Sequence, residues 1–312
     1  MQTVDCTSHV AHPTSAQKRI HSEWPTIFLF LGCFSLWGVA VFILPLLHPA
    51  IGLLALVPAL VLHSSLSHEV LHGHPFASKK LNEACVMVQP GLFIPYLRFR
   101  DTHLAHHRDA RLTDPYDDPE SNYLDPVVWS QLSKGAQVAL RFNNTLLGRI
   151  LIGPLVSQWA FMRGDLMAIL QADRPVLAAW IWHVPGVVLV MGVVLTSQMP
   201  LWIYVLGAYC ALSVLKIRTF LEHQAHLRAS GRSVIIEDKG ILAFLFLNNN
   251  LHAVHHMHPS VPWYHLRGLY WGNKSRYVTC NGGYVYGSYM QVFRRYFWTR
   301  KDPVAHPLWP MR

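Results

Sequence analysis

From Pro175 to Leu215 the chain runs for 41 residues without a single Asp, Glu, Lys or Arg. A run of this length and character has few ways to fold. A helix needs about 20 apolar residues to cross a bilayer, and the run breaks at Ser197-Gln-Met-Pro200, which reads as a tight turn. It therefore predicts a helical hairpin with arms near 175–197 and 201–221, the second arm running on helically toward His226. A matching pair stands at the front of the chain. Apolar residues fill about 25–47 and 50–67, and Pro45 to Pro49 separates the two. Two such hairpins are unusual as the core of a water-soluble protein. Charged residues make up only 14% of the chain and apolar residues 52%, whereas a soluble domain carries about 25% charge. The expected fold is all-α integral membrane, with four transmembrane helices in two hairpins. Residues 68–174 and 222–312 are expected to form a cytoplasmic helical cap within the same single domain.

Charge sets the expected orientation. Lys18 and Arg19 precede the first span, and neither hairpin turn carries Lys or Arg. Basic residues gather between Gly73 and Arg174 and again after Lys216. The positive-inside rule then places both termini and the middle segment in the cytoplasm, with the chain in the inner membrane. Residues 1–23 are polar and read as a cytoplasmic tail rather than a signal peptide. The net charge of +9 fits a face against anionic lipid. No basic helix or binding motif accompanies it, so nucleic acid is not an expected partner. Two further apolar segments, Val86–Leu97 and Leu146–Met162, contain Pro and Gly, and the second also Arg149. Both suit interfacial or re-entrant helices.

The chemistry lies in three histidine clusters: His68-Glu-Val-Leu-His72, His103-Leu-Ala-His106-His107 and His252-Ala-Val-His255-His256. On a helix, positions i, i+3 and i+4 share one face, so a single turn of HxxHH presents three imidazoles together. Neutral imidazole is the commonest nitrogen ligand for iron, copper and zinc. A structural zinc takes four ligands, so eight histidines fit two ions with positions left open. The five cysteines are scattered and form no CxxC pair, which points away from a sulfur-ligated centre. By the topology above, all three clusters fall on the cytoplasmic side.

The three clusters, their order and their placement resemble the membrane fatty acid desaturase–hydroxylase superfamily. Arg100-Asp-Thr-His103, Asp114-Pro-Tyr-Asp-Asp-Pro-Glu120, Asn250-Leu-His252 and Pro259-Ser-Val-Pro-Trp-Tyr264 extend the resemblance, which covers roughly residues 24–270. It implies a four-span bundle with a cytoplasmic cap, a non-haem di-iron centre, and O2-dependent attack on an unactivated C–H bond. The implied ligands are His68, His72, His103, His106, His107, His252, His255 and His256. The superfamily commonly adds one ligand after the fourth span. His223 in Leu221-Glu-His-Gln is the best match to it, with His226 the weaker candidate.

The leading expectation is desaturation of a fatty-acyl or other lipid chain. Hydroxylation or ketolation of a lipid or other apolar substrate is the alternative, because the same hydrogen abstraction can end either way. The substrate is expected to enter from the bilayer. No His-Pro-Gly-Gly haem motif is present, so electrons are expected from a separate donor such as a ferredoxin. Lys79, Lys80, Arg98, Arg100, Arg108 and Arg111 offer a basic face to it. A remote alternative is an intramembrane zinc protease, since His68-Glu69-Val-Leu-His72 is also HExxH. That reading needs a carboxylate ligand in a later span, and residues 175–215 contain none.

Overall fold

The structure is a computed structural model that describes residues 22–107 and 112–309. Residues 1–21 of the expected tail, with His9, His12 and His21, and also Arg108, Asp109 and Arg111, lie outside the described residues. The fold is almost wholly helical. In chain order the helices are α1 (Trp24–Gly38), α2 (Pro49–Leu71), α3 (Lys79–Val86), α4 (Tyr96–His106), α5 (Pro126–Gln131), α6 (Lys134–Asn143), α7 (Leu146–Leu151), α8 (Gly153–Leu170), α9 (Arg174–Leu195) and α10 (Leu201–Thr219). Five shorter ones follow: α11 (Ile241–Leu245), α12 (His252–Met257), α13 (Trp263–Gly272), α14 (Lys274–Cys280) and α15 (Tyr289–Tyr296).

Among the described residues four helical stretches are long and apolar enough to cross a membrane: Trp24–Leu46, Pro49–Leu71, Arg174–Leu195 and Leu201–Thr219. Their ends follow local chemistry. Pro25, Pro49 and Pro175 each stand in a first turn, where the missing N–H costs nothing. Asp173 caps α9 by accepting the Val176 N–H at 3.1 Å. The first span changes to a π turn at Val39–Ile43 and a tighter turn at Leu44–Leu46, because Pro45 cannot donate to the regular ladder.

The described residues cluster into two compact units. The first, residues 22–101 and 154–215, contains the membrane hairpins. Glycine sets the approach of its helices. A Cβ on Gly207 of α10 would lie 2.6 Å from Leu56 Cδ2 of α2, and one on Gly52 would lie 2.8 Å from the Ala40 carbonyl. Such close backbone approach is how membrane helices gain packing energy without a hydrophobic driving force.

Residues 87–95 of this unit are not the interfacial helix that their composition suggests. They turn irregularly, and side chains from three helices take their carbonyls. Tyr204 Oη donates to Pro90 O at 2.9 Å and Gln158 Nε2 to Phe93 O at 2.8 Å. His183 Nε2 meets Leu92 O at 2.7 Å. Proline at positions 90 and 95 removes two donors that a helix would use, and irregular backbone among apolar helices persists only where protein satisfies it. His183 is thus engaged with backbone. The Trp180 indole N–H donates to Asp165, which also holds Arg98 through bonds of 2.8 to 3.0 Å. Trp24, Trp182 and Trp202 are exposed, as interface anchors would be.

The second unit, residues 102–107, 112–153 and 216–309, is built around short helices and a two-stranded parallel sheet, β1 (Ile235–Ile236) against β2 (Val285–Tyr286). Its core joins Ile235, Leu251, Val254, Leu266, Tyr270 and Tyr277. Ile236 N–H donates to Asn250 O at 2.8 Å and Ala253 N–H to Val234 O at 2.9 Å, so β1 fixes the start of α12. Leu247 and Asn248 turn the chain into α12 with positive φ of 49° and 58°, an uncommon conformation for leucine.

Candidate metal centre

Each histidine box lies on a helix end. His103 and His106 fall in the last turn of α4, with His107 just beyond it. His252, His255 and His256 are three of the six residues of α12. His223 follows α10 and pairs through its backbone with Ser233. These seven residues share the second unit, and the fold brings them into two groups. In one, His103, His107 and His255 have ligand atoms within 4.8 Å of one another. Nε2 of His107 is 3.0 Å from that of His103 and 3.1 Å from that of His255. In the other, His223 Nε2 lies 2.8 Å from His106 Nε2 and 3.0 Å from His252 Nε2, and His256 Nε2 lies 3.1 Å from His252 Nε2. The groups abut, with the His107 and His256 rings stacked at 4.2 Å.

His68 and His72 belong to the first unit. α2 runs farther than its apolar stretch, so His68 sits inside its last turn and His72 is its C-cap. Their rings are 4.8 Å apart, as spacing of four residues on a helix predicts.

The convergence of Nε2 atoms fits a bound cation. Two nitrogens at right angles around a metal, each about 2.1 Å away, stand about 3 Å apart. The far side of the rings is equally suited. His106 Nδ1 meets Asp118 at 2.7 Å, His103 Nδ1 meets Glu120 at 3.0 Å, His252 Nδ1 meets Asn249 Oδ1 at 3.0 Å and His223 Nδ1 meets Ser233 Oγ at 3.2 Å. A metal-bound imidazole needs such a partner to fix its tautomer and direct its lone pair.

The electrostatics agree. Burial, then neighbouring imidazoles, holds His107, His223, His252 and His256 well below the ordinary histidine pKa, in the neutral form that binds metal. At His106 burial also opposes charge, but Glu120, Asp118 and Glu222 overcome it and raise the pKa to about 9. Glu120 shows the reverse side of this pairing. Burial favours its neutral form, yet His103 and His106 hold it far below the usual carboxylate range. A metal ion would take the place of that extra proton.

A family model described as fatty acid desaturase matches residues 42–286. The chain belongs to the fatty acid desaturase family. It is also similar to two proteins named beta-carotene ketolase. One, from Paracoccus sp. (strain PC1), is 25% identical over 252 residues, which is 77% of this chain and 86% of that protein. The other, from Paracoccus sp. (strain N81106 / MBIC 01143), is 24% identical over 215 residues, 66% of this chain and 71% of that protein. Membership makes the chain a di-iron-type oxidoreductase with its metal site in the histidine groups.

Against this family pattern two details of the site stand out. His226 lies outside both groups; its Nδ1 accepts the Arg228 N–H at 3.1 Å and its ring closes a turn on Gly231. Of the two candidates after the fourth span, the fold brings His223 to the other histidines. The acidic run after the second box is partly exposed but turns two carboxylates toward the histidines. Asp118 is 5% exposed, and Asp118 and Glu120 brace the imidazoles of His106 and His103. The signal for them was the cluster of carboxylates close behind a histidine box. Asp101, two residues before His103, pairs instead with Arg100 at 2.8 Å. Ser233 carried no signal at all.

Proposed function

We propose that this chain is a membrane di-iron oxygenase that uses O2 to add oxygen to an unactivated carbon of a long apolar substrate of carotenoid type. The similarity to two ketolases, extending over most of their length, carries this reading. Desaturation of an acyl chain is the second reading, supported by the family match itself. Both begin with removal of one hydrogen and diverge afterwards. Expression in a host that makes both β-carotene and ordinary phospholipids separates them. Mass spectrometry should find a pigment that has gained oxygen. An unchanged pigment pool with acyl chains short of two hydrogens would favour the second reading.

We assign His103, His107 and His255 to one iron and His106, His223, His252 and His256 to the other. His68 and His72, on the family pattern, complete the first set. Iron is preferred to zinc because an all-imidazole set with open positions suits O2 chemistry. Bound there, the metal pair supplies O2 activation and hydrogen abstraction. The protein's part is to aim the imidazoles through Asp118, Glu120, Asn249 and Ser233, and to exclude water by burying them. Purified protein should contain a pair of irons per chain. Zinc alone, in protein active without O2, would overturn the assignment.

Electrons come, on this reading, from a separate one-electron carrier such as a ferredoxin at the cytoplasmic face. Lys79 and Lys80 are exposed and suit such docking. Arg98 and Arg100 are committed to Asp165 and to Glu83 and Asp101, so they contribute less to a docking face than their charge suggests. The substrate is drawn from the bilayer, and the orientation with both termini inside rests on the positive-inside rule.

A further inference from the structure

A line of oxidisable side chains runs to the surface from Tyr123, which binds the backbone two residues beyond His223, and each has a carboxylate to receive its proton. Tyr123 is buried at 5% exposure. Its hydroxyl donates to the Asp302 carboxylate and accepts the N–H of Ala225 at 2.9 Å, two residues beyond His223. The His306 ring lies 5.0 Å from Tyr123, the Trp309 ring 5.9 Å from His306, and the Tyr116 ring 5.9 Å from Trp309. Trp309 Nε1 and Tyr116 Oη both donate to Asp125 Oδ2 at 3.1 Å. Tyr116 is 65% exposed.

The array is held in register by backbone. Leu124 N–H donates to Val304 O at 2.9 Å and His306 N–H to Leu124 O at 2.8 Å. A second thread joins it to the metal side. His306 Nε2 meets Thr113 Oγ1 at 3.3 Å, Thr113 N–H donates to Asp118 at 2.8 Å, and Asp118 braces His106. Packing of the C-terminal segment accounts for rings, but phenylalanine would pack as well and needs no acceptor. Tyrosine and tryptophan lose a proton when they lose an electron, so a carboxylate on each O–H or N–H makes them oxidisable at low cost.

We propose that Tyr123, Trp309 and Tyr116 form a one-electron relay that drains a stray oxidising equivalent from the metal pair to the surface when no substrate is in place. The relay rests on the di-iron reading above. Tyr123 gives one electron inward and its phenolic proton to Asp302, which leaves a neutral phenoxyl radical. Trp309 refills Tyr123 across the His306 ring. Its indole proton passes to Asp125 while the Asp302 proton returns to Tyr123. Tyr116 then refills Trp309 with the same exchange at Asp125. A one-electron reductant in solution, a thiol or the reduced carrier protein, restores Tyr116. The net change is one electron inward, with no bond between heavy atoms made or broken.

The test uses full-length protein loaded with iron, reduced, and mixed with O2 without substrate. O2 uptake is followed alongside freeze-quench electron paramagnetic resonance and mass-spectrometric mapping of oxidised residues. Wild type should give a tyrosyl or tryptophanyl radical, with oxidation accumulating at Trp309 and Tyr116. Tyr123→Phe should cut the radical yield and the oxidation of both outer residues several-fold. Trp309→Phe, at a half-buried and more tolerant position, should lengthen the life of the Tyr123 radical and spare Tyr116. This second variant decides the matter alone if Tyr123→Phe fails to fold. O2 uptake with no protein radical, or signals unchanged in the variants, overturns the relay and leaves the di-iron reading standing. No O2 uptake by the iron-loaded wild type defeats that reading and the relay with it.

Discussion

His106 carries the sharpest conflict of any side chain in the site. Burial pushes its proton off, while Glu120, Asp118 and Glu222 hold it on and raise the pKa from 6.5 to about 9. In metal-free protein the protonated form favours the folded state below pH 6.5, and that contribution is lost as pH rises through about 9. A metal must displace the same proton, so apparent metal affinity should fall as pH drops from about 9 toward 7. Equilibrium metal titrations across that range test this; a flat profile would contradict it. Asp118→Asn removes one of the raising charges and a brace of the imidazole. It should shift the profile to lower pH and weaken metal binding by about 10- to 100-fold. His106→Ala should lose bound iron and activity together. His226→Ala should keep both, because that imidazole is spent on a turn. Metal analysis of the purified variants distinguishes the two. At this scale the sequence picked out the histidines that the fold groups, since histidine advertises itself by spacing. It named their braces poorly, since a carboxylate looks alike whether it meets water or an imidazole.

Among the elements, helices with an unbroken apolar pattern could be read directly, and segments whose backbone is satisfied from elsewhere could not. Residues 87–95 look like a short apolar helix until Tyr204, Gln158 and His183 are seen taking their carbonyls. Those partners lie 65 to 114 residues away, beyond the reach of any local pattern. Glycines show the same divide. Gly207 sits against Leu56, so Gly207→Val should overpack the α2–α10 contact and cost about 1–3 kcal/mol. Gly164, on α8, has nothing within 4 Å of where its Cβ would be. Gly164→Ala should therefore stabilise, by up to about 1 kcal/mol of helix propensity. Thermal unfolding in detergent should move the two variants in opposite directions. Equal shifts would mean the helix contact is not as close as the geometry requires.

For the whole molecule, metal binding and stability should be linked. Histidines drawn from α4, α12 and the segment after α10 meet only in the folded state, so a metal held by them would stabilise it by mass action. Stripping iron with a chelator should lower the unfolding temperature, and restoring iron should recover it. An unfolding temperature indifferent to metal would argue that the histidine groups do not hold one. Composition, the apolar pair near residues 25–67 and the charge-free run from Pro175 to Leu215 by themselves determined that four helices suit a bilayer. Helical periodicity determined that each histidine box shows one face. These are local properties, fixed by covalent spacing and by the cost of placing charge in hydrocarbon. Only the tertiary structure decided that His106, 117 residues from His223, shares its group rather than that of its neighbour His107. It alone brought Asp118 and Glu120 behind the imidazoles and set Tyr123 against Asp302. Contacts at such separation depend on how the whole chain packs, and no local pattern in the sequence encodes them.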